Sequence, residues 1–360
     1  MTFETHLETF AGLPVIDFRE NTDWQGPAHC YRVHLQYEDP ESVETILDRL
    51  LAQAQDTGLK ALIIGAWNGA LEGDDSAGLV SSLVSRVGHL AGLKALFLGE
   101  MTFDEYEISW INQSDVSPVL RALPNLEEFY VRGGTRLTFS QVEHPHLRTL
   151  VIQAGGLSRD LLRELFACRF PALQHLDLLL GTEDYGFNGE VEDLLPLLQG
   201  TLFPRLKHLG LMNSIITDDI AALVVNSPII RDLESLDLSL GTLTDEGAGA
   251  LLSLPTDAHL KRLDISHHYL TPEALARLQR LPFELVADDR GRLQRPAAVA
   301  GQAAQVGADQ PDHVVGEVQR LDGGQIPAPR ATRGVGRHQP AFVQVGQEAP
   351  DEERVATGLA

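Results

Sequence analysis

The apolar positions of this chain recur as L-x-x-L-x-L, and one stretch shows the whole unit. In residues 233–252 (LESLDLSLGTLTDEGAGALL), Leu233, Leu236 and Leu238 alternate as a short strand with one buried face. Gly241 and Leu243 turn the chain, Thr244 caps a helix, and Ala248, Leu251 and Leu252 form its apolar stripe. A strand–turn–helix unit of this size cannot bury its own apolar face. It needs copies of itself on either side.

The copies are present. The strand opens at residues 59, 93, 126, 147, 173, 206, 233 and 260, at spacings of 34, 33, 21, 26, 33, 27 and 27 residues. The segments read LKALII, LKALFL, LEEFYV, LRTLVI, LQHLDL, LKHLGL, LESLDL and LKRLDI. Eight registrations of one pattern predict a solenoid of stacked parallel strands with helices on one side. Ser158, Thr217, Thr244 and Thr271 each follow a turn leucine or isoleucine and read as helix N-caps, with Pro272 and Glu273 completing the last signal. Longer spacings place insertions at 100–117 and 182–189, on the strand-to-helix edge. The 21-residue unit that opens at residue 126 leaves little room for a helix.

The ends read differently. PVIDF (14–18) and CYRVHLQY (30–37) alternate as strands, with Tyr31, Val33 and Leu35 on one face, so residues 1–40 are expected to form an N-terminal cap. A helix over 41–54 packs on the first repeat. PFELVADD (282–289) is expected to be the final strand, giving a solenoid over 41–290. Residues 296–360 lose all periodicity and are rich in Gly, Gln, Pro and Arg. They are expected to be a disordered tail or an out-of-frame translation.

The pattern resembles the leucine-rich repeat, and the 27-residue units with L-T-D-E-G-A-x-A-L helix entries are similar to the ribonuclease-inhibitor-like class. That resemblance implies an α/β leucine-rich-repeat solenoid, with a curved parallel sheet on the concave side, helices on the convex side, and about eight repeats plus caps. The asparagine of that repeat is replaced here by Gly155, Gly181, Ser214, Gly241 and His268, so the turns must satisfy their backbone groups another way. F-x-G-L-P-V (Phe10, Gly12, Leu13, Pro14, Val15) and LKALIIGAW (59–67) also resemble a bacterial leucine-rich-repeat family. Its members are often encoded beside radical-SAM-like and ATP-grasp-like enzymes. This implies a helper or recognition role and brings no catalytic residue.

Charge narrows the partners. A net charge of −23 and a pI near 4.8 argue against duplex nucleic acid and anionic lipid, and favour a cationic protein patch. Cys30 and Cys168 make no disulfide framework, and Cys168 reads as a small buried hydrophobe. No apolar run approaches a membrane span, and the N-terminus lacks the pattern of a signal peptide, so a cytoplasmic monomer is expected.

Candidate chemistry follows from strand alternation, because residues between the inward leucines face the open side of the sheet. One outward column is Ile63, Phe97, Tyr130, Val151, Asp177, Gly210, Asp237, Asp264; the other is Ala61, Ala95, Glu128, Thr149, His175, His208, Ser235, Arg262. Phe97, Tyr130 and nearby Arg132 suit a protein interface, extended by Trp67 and Trp110 on flanking loops. Alternatively, the 100–117 insertion covers Phe97 and Ile63 and makes them core. Asp177, Asp237 and Asp264 suit a basic ligand, or simply keep the open sheet soluble. His175 and His208, neighbours in one column, could hold a transition metal with Asp177. His267 and His268 read as turn fillers, and the acidic run Glu100, Asp104, Glu105, Glu107 as a solvated loop.

No phosphate-binding loop, dinucleotide fingerprint, nucleophile elbow or zinc-ligand cysteine spacing is found. No cofactor is expected. The reading is a non-catalytic protein-interaction scaffold that grips its partner with the concave face and the 100–117 insertion. The alternative is a small-molecule or peptide binder serving a biosynthetic enzyme, assisted by a metal at His175 and His208.

Overall fold

A computed structural model describes residues 4–36 and 39–288; the tail expected over 296–360 lies outside them. Twelve strands form one sheet in strict chain order: β1 (Thr9–Phe10), β2 (Leu13–Asp17), β3 (Cys30–Val33), β4 (Ala61–Ile64), β5 (Ala95–Leu98), β6 (Glu128–Arg132), β7 (Thr149–Gln153), β8 (His175–Gly181), β9 (His208–Ser214), β10 (Ser235–Asp237), β11 (Arg262–Asp264) and β12 (Glu284–Val286). β1 pairs antiparallel with β2, and every later pairing is parallel. All eight repeat strands read from the pattern are present, and β12 falls within the expected PFELVADD.

Register follows the leucines. Leu62, Leu96, Phe129, Leu150, Leu176, Leu209, Leu236 and Leu263 are consecutive partners across eight strands, all buried in one core with the helices. A slip of one residue would turn this whole row to the other face, so burial specifies the register strongly. The helices, from Val43–Gly58 to Pro272–Leu278, pack against this face alone. The molecule is thus the expected α/β leucine-rich-repeat solenoid. Between β6 and β7 the short unit has no helix, and its return path is tied by lone bridges instead, including Asp115 to Thr138 and Glu143 to Arg169.

The helix entries show how the repeats lock together. Ser158, Thr244 and Thr271 cap as expected, accepting from the backbone of Leu161, Glu246 and Ala274. Thr217 does not. It is the first helical residue, and its hydroxyl donates to the Ser214 carbonyl and accepts from Thr242 N. That exchange answers how turns without asparagine satisfy their backbone: threonine hydroxyls do it here, and His268 Nδ1 does it for Leu270 N. Each aspartate after the entry threonine then reaches the next repeat. Asp218 accepts from Thr244 N and Oγ1 at 2.8 and 2.6 Å, and Asp245 accepts from Thr271 N and Oγ1 at 2.8 and 2.9 Å. The carboxylate placed for its own helix dipole therefore also fixes the N-cap of its neighbour.

Candidate functional site

The helix-free face has two unlike halves. Around β3–β6, Cys30, Ala61, Ile63, Ala95 and Phe97 form a second buried cluster, closed by Phe10 with Leu7, Ala11, Leu13 and Val15. The Phe10 ring lies 5.9 Å from Phe97 and 5.1 Å from Tyr130, edge-on to the latter. The N-terminal hairpin, turning at Ala11 and Gly12, folds over this half of the sheet. Phe97 is consequently 1% exposed and Arg132 3% exposed, which corrects the expectation that both stand open to a partner. The alternative, that Phe97 and Ile63 are core, is right, but their cover is the N-terminal segment and not the 100–117 insertion. Arg132 instead braces the fold, donating to Gln153 Oε1 and the Met101 carbonyl while its guanidinium lies 5.3 Å from the Phe97 ring centre. Trp67 is buried too, with its indole N–H on the Asp75 carbonyl. Tyr130 keeps partial exposure at the boundary, and burial raises its phenol.

An ionic latch holds the hairpin down. Glu100 is fully buried, a correction to its reading as part of a solvated loop. One of its oxygens accepts from Leu7 N at 2.9 Å; the other lies 2.9 Å from both His6 Nδ1 and Arg32 Nε. Arg32 also donates to the Leu7 carbonyl and, at 2.7 Å, to Asp17. His6 Nε2 reaches Glu105 at 3.2 Å. Hydrogen bonds donated by the protonated imidazole to Glu100 and Glu105 hold His6 up to about 9, against the opposing effect of burial. A folded-state value above the ordinary 6.5 contributes stability that is complete below about pH 6.5 and is lost as pH rises through about 9. The melting temperature should therefore fall between pH 6.5 and 9.5 by more in the native chain than in His6→Ala. Equal slopes would show that His6 does not latch the hairpin.

The 100–117 insertion starts in that latch, with Glu100 and Glu105, and then runs out to the surface. It presents Phe103 and Trp110, 65% and 61% exposed, while Thr135 Oγ1 donates to the Ser109 carbonyl at 2.7 Å. Its short helical turn Ile108–Trp110 and the other insertion, 182–189, both approach Gly155, where a Cβ would sit 3.1 Å from Tyr185 and 3.4 Å from Ser109. The spacing of strands reveals both insertions but not that they converge.

Around β8–β11 the face is open and polar. His175 pairs in register with His208, and Asp177 with Gly210. Asp177 reaches back to both imidazoles, 2.8 Å from His175 Nε2 and 2.8 Å from His208 Nε2, and the rings stack 4.0 Å apart at 10°. Burial pushes the Asp177 carboxyl up, but the two histidine hydrogen bonds outweigh it and hold it at about 2. Asp237 and Asp264 serve local turns, each accepting from the serine N–H two residues on, Ser239 and Ser266. Arg262 bridges Asp264 and Glu284. Burial raises Asp237, and the charges of Asp264 and Asp177 push it further.

No family model matches the chain, and no curated protein matches it. Among solved structures, the crystal structure of a protein from Bacteroides fragilis, a structural-genomics target, superposes with a TM-score of 0.68 at 33% identity, over 73% of this chain and 75% of that one. An internalin from Listeria monocytogenes aligns over 67% of this chain and 56% of its own, with a TM-score of 0.36 at 17% identity. On the first of these, the chain belongs to the family of the Bacteroides fragilis protein.

Proposed function

We propose that this member of the Bacteroides fragilis protein's family is a non-catalytic recognition scaffold for a protein partner bearing a basic segment. The observation that carries this reading is the pair Phe103 and Trp110, large aromatics held largely in solvent on a structured insertion. Aromatic side chains cost water contact when exposed and dominate binding energy when a partner covers them. The acidic column Asp177, Asp237 and Asp264 supplies the second element, a partly exposed strip of carboxylates on the open half of the sheet, with Tyr130 at its boundary. A preformed sheet orders little on binding, so most of the contact energy is retained as affinity. Phe97 and Arg132 are not part of the surface. Among the described residues no helix is long and apolar enough to cross a membrane.

The test is capture by the tagged full chain in extracts of its native cell, followed by titration of the purified captured protein. Phe103→Ala with Trp110→Ala should weaken that protein's binding roughly 30-fold, as loss of an aromatic anchor does. Asp237→Asn with Asp264→Asn should flatten its salt dependence. Binding unchanged in the aromatic double variant would sink the reading.

A further inference from the structure

We infer that His175, Asp177 and His208 form a binding site for one divalent transition-metal ion of the zinc class on the open half of the sheet. Three donors from two adjacent strands, two imidazole nitrogens and a carboxylate, converge with all their ligand atoms within 4.8 Å of one another. Neutral imidazole and carboxylate are the donor set that such ions prefer over calcium or magnesium. The arrangement is built by the sheet. His175 and Asp177 are two residues apart on β8 and so share a face, while His208 is the in-register partner of His175 on β9.

The fourth position of this square is Gly210, and there the local sequence is decisive. A Cβ at Gly210 would lie 2.2 Å from Asp177 Oδ1, so any other residue would displace the carboxylate from the histidines. Glycine weakens a strand interior, and its occurrence here opens the room into which Asp177 leans. The stacked rings give the second argument: at 4.0 Å and 10° they set both Nε2 atoms side by side, each 2.8 Å from the same carboxylate.

The other cluster with ligand spacing, His6, His34 and Glu105, is committed elsewhere. His34 Nε2 lies 2.8 Å from Arg19 Nη2 and His6 is held by Glu100, so the hairpin latch uses those groups. At the β8–β9 site the donors are half-exposed. Three protein ligands leave a coordination position open toward solvent, for water or for a donor atom from a bound molecule. The site does not depend on the scaffold reading, because a metal can bind whether or not a protein partner exists.

The experiment is zinc titration by calorimetry of the full chain after chelator dialysis, with cobalt(II) absorption reporting the donor set. The expected result is one equivalent bound by the native chain. His208→Gln and Asp177→Asn should each weaken binding at least about 100-fold, beyond the loss typical of supporting groups. Gly210→Ala should weaken it without removing a ligand. His6→Ala with His34→Ala should retain it. Since the altered side chains lie on the half-exposed face, circular dichroism should show each variant folded. A native chain that takes up no zinc overturns the proposal, as does uptake undiminished in His175→Ala with His208→Ala.

Discussion

Glu100→Ala should lower the unfolding free energy by about 3–5 kcal/mol, the range for breaking a buried ion pair by removing one partner. The carboxylate is fully buried and serves three groups at once: Leu7 N, His6 and Arg32. Without it Arg32, itself buried, keeps only Asp17 and the Leu7 carbonyl. The Leu7 amide loses its acceptor. Urea unfolding of the full chain gives the number. Glu100→Gln, which preserves volume and an acceptor but not the charge, should lose less. A loss below about 1 kcal/mol for Glu100→Ala would place the hairpin's stability in its apolar contacts alone.

Those apolar contacts carry the second large effect. Phe10→Ala should cost about 3 kcal/mol, the lower end for a buried phenylalanine, because the hairpin can release locally once its anchor is gone. The ring closes the cluster of Cys30, Ala61, Ile63, Ala95 and Phe97, so its removal opens an apolar surface on the sheet. Cys30 reports the event. Burial raises its thiol and keeps it unreactive. In Phe10→Ala a thiol reagent should label Cys30 faster, while Cys168, buried in the main core with the helices, stays protected. Equal labelling of Cys30 in the native chain and the variant would mean that the hairpin does not gate this face.

Much of this architecture is legible along the chain, and particular residues show why. Leu62 through Leu263 make a single row because each repeat carries its leucines at the same offsets, and a parallel sheet copies sequence offset into spatial alignment. Alternation likewise assigns Ile63, Phe97, Asp177 and Asp264 correctly to the helix-free face. A warning about the first two was available: ALII and ALFL are unbroken apolar runs, the mark of strands buried on both faces. Asp237-x-Ser239 and Asp264-x-Ser266 were also readable as local turns, since a short carboxylate accepts from the N–H two residues on.

The sequence by itself determined the repeat, the strand register and the face each side chain takes, because these depend on offsets within or between neighbouring units. Only the tertiary structure decided which of those faces meets water. Phe10 and Phe97 are 87 residues apart, His6 and Glu100 are 94 apart, and no periodic pattern relates a terminal hairpin to the strands it covers. The closeness of Asp177 to both histidines is likewise tertiary. Strand alternation puts the three on one face, but the reach of the carboxylate depends on the space left by Gly210 on the neighbouring strand. Burial and convergence arise from the sum of packing in three dimensions, which local patterning constrains without specifying.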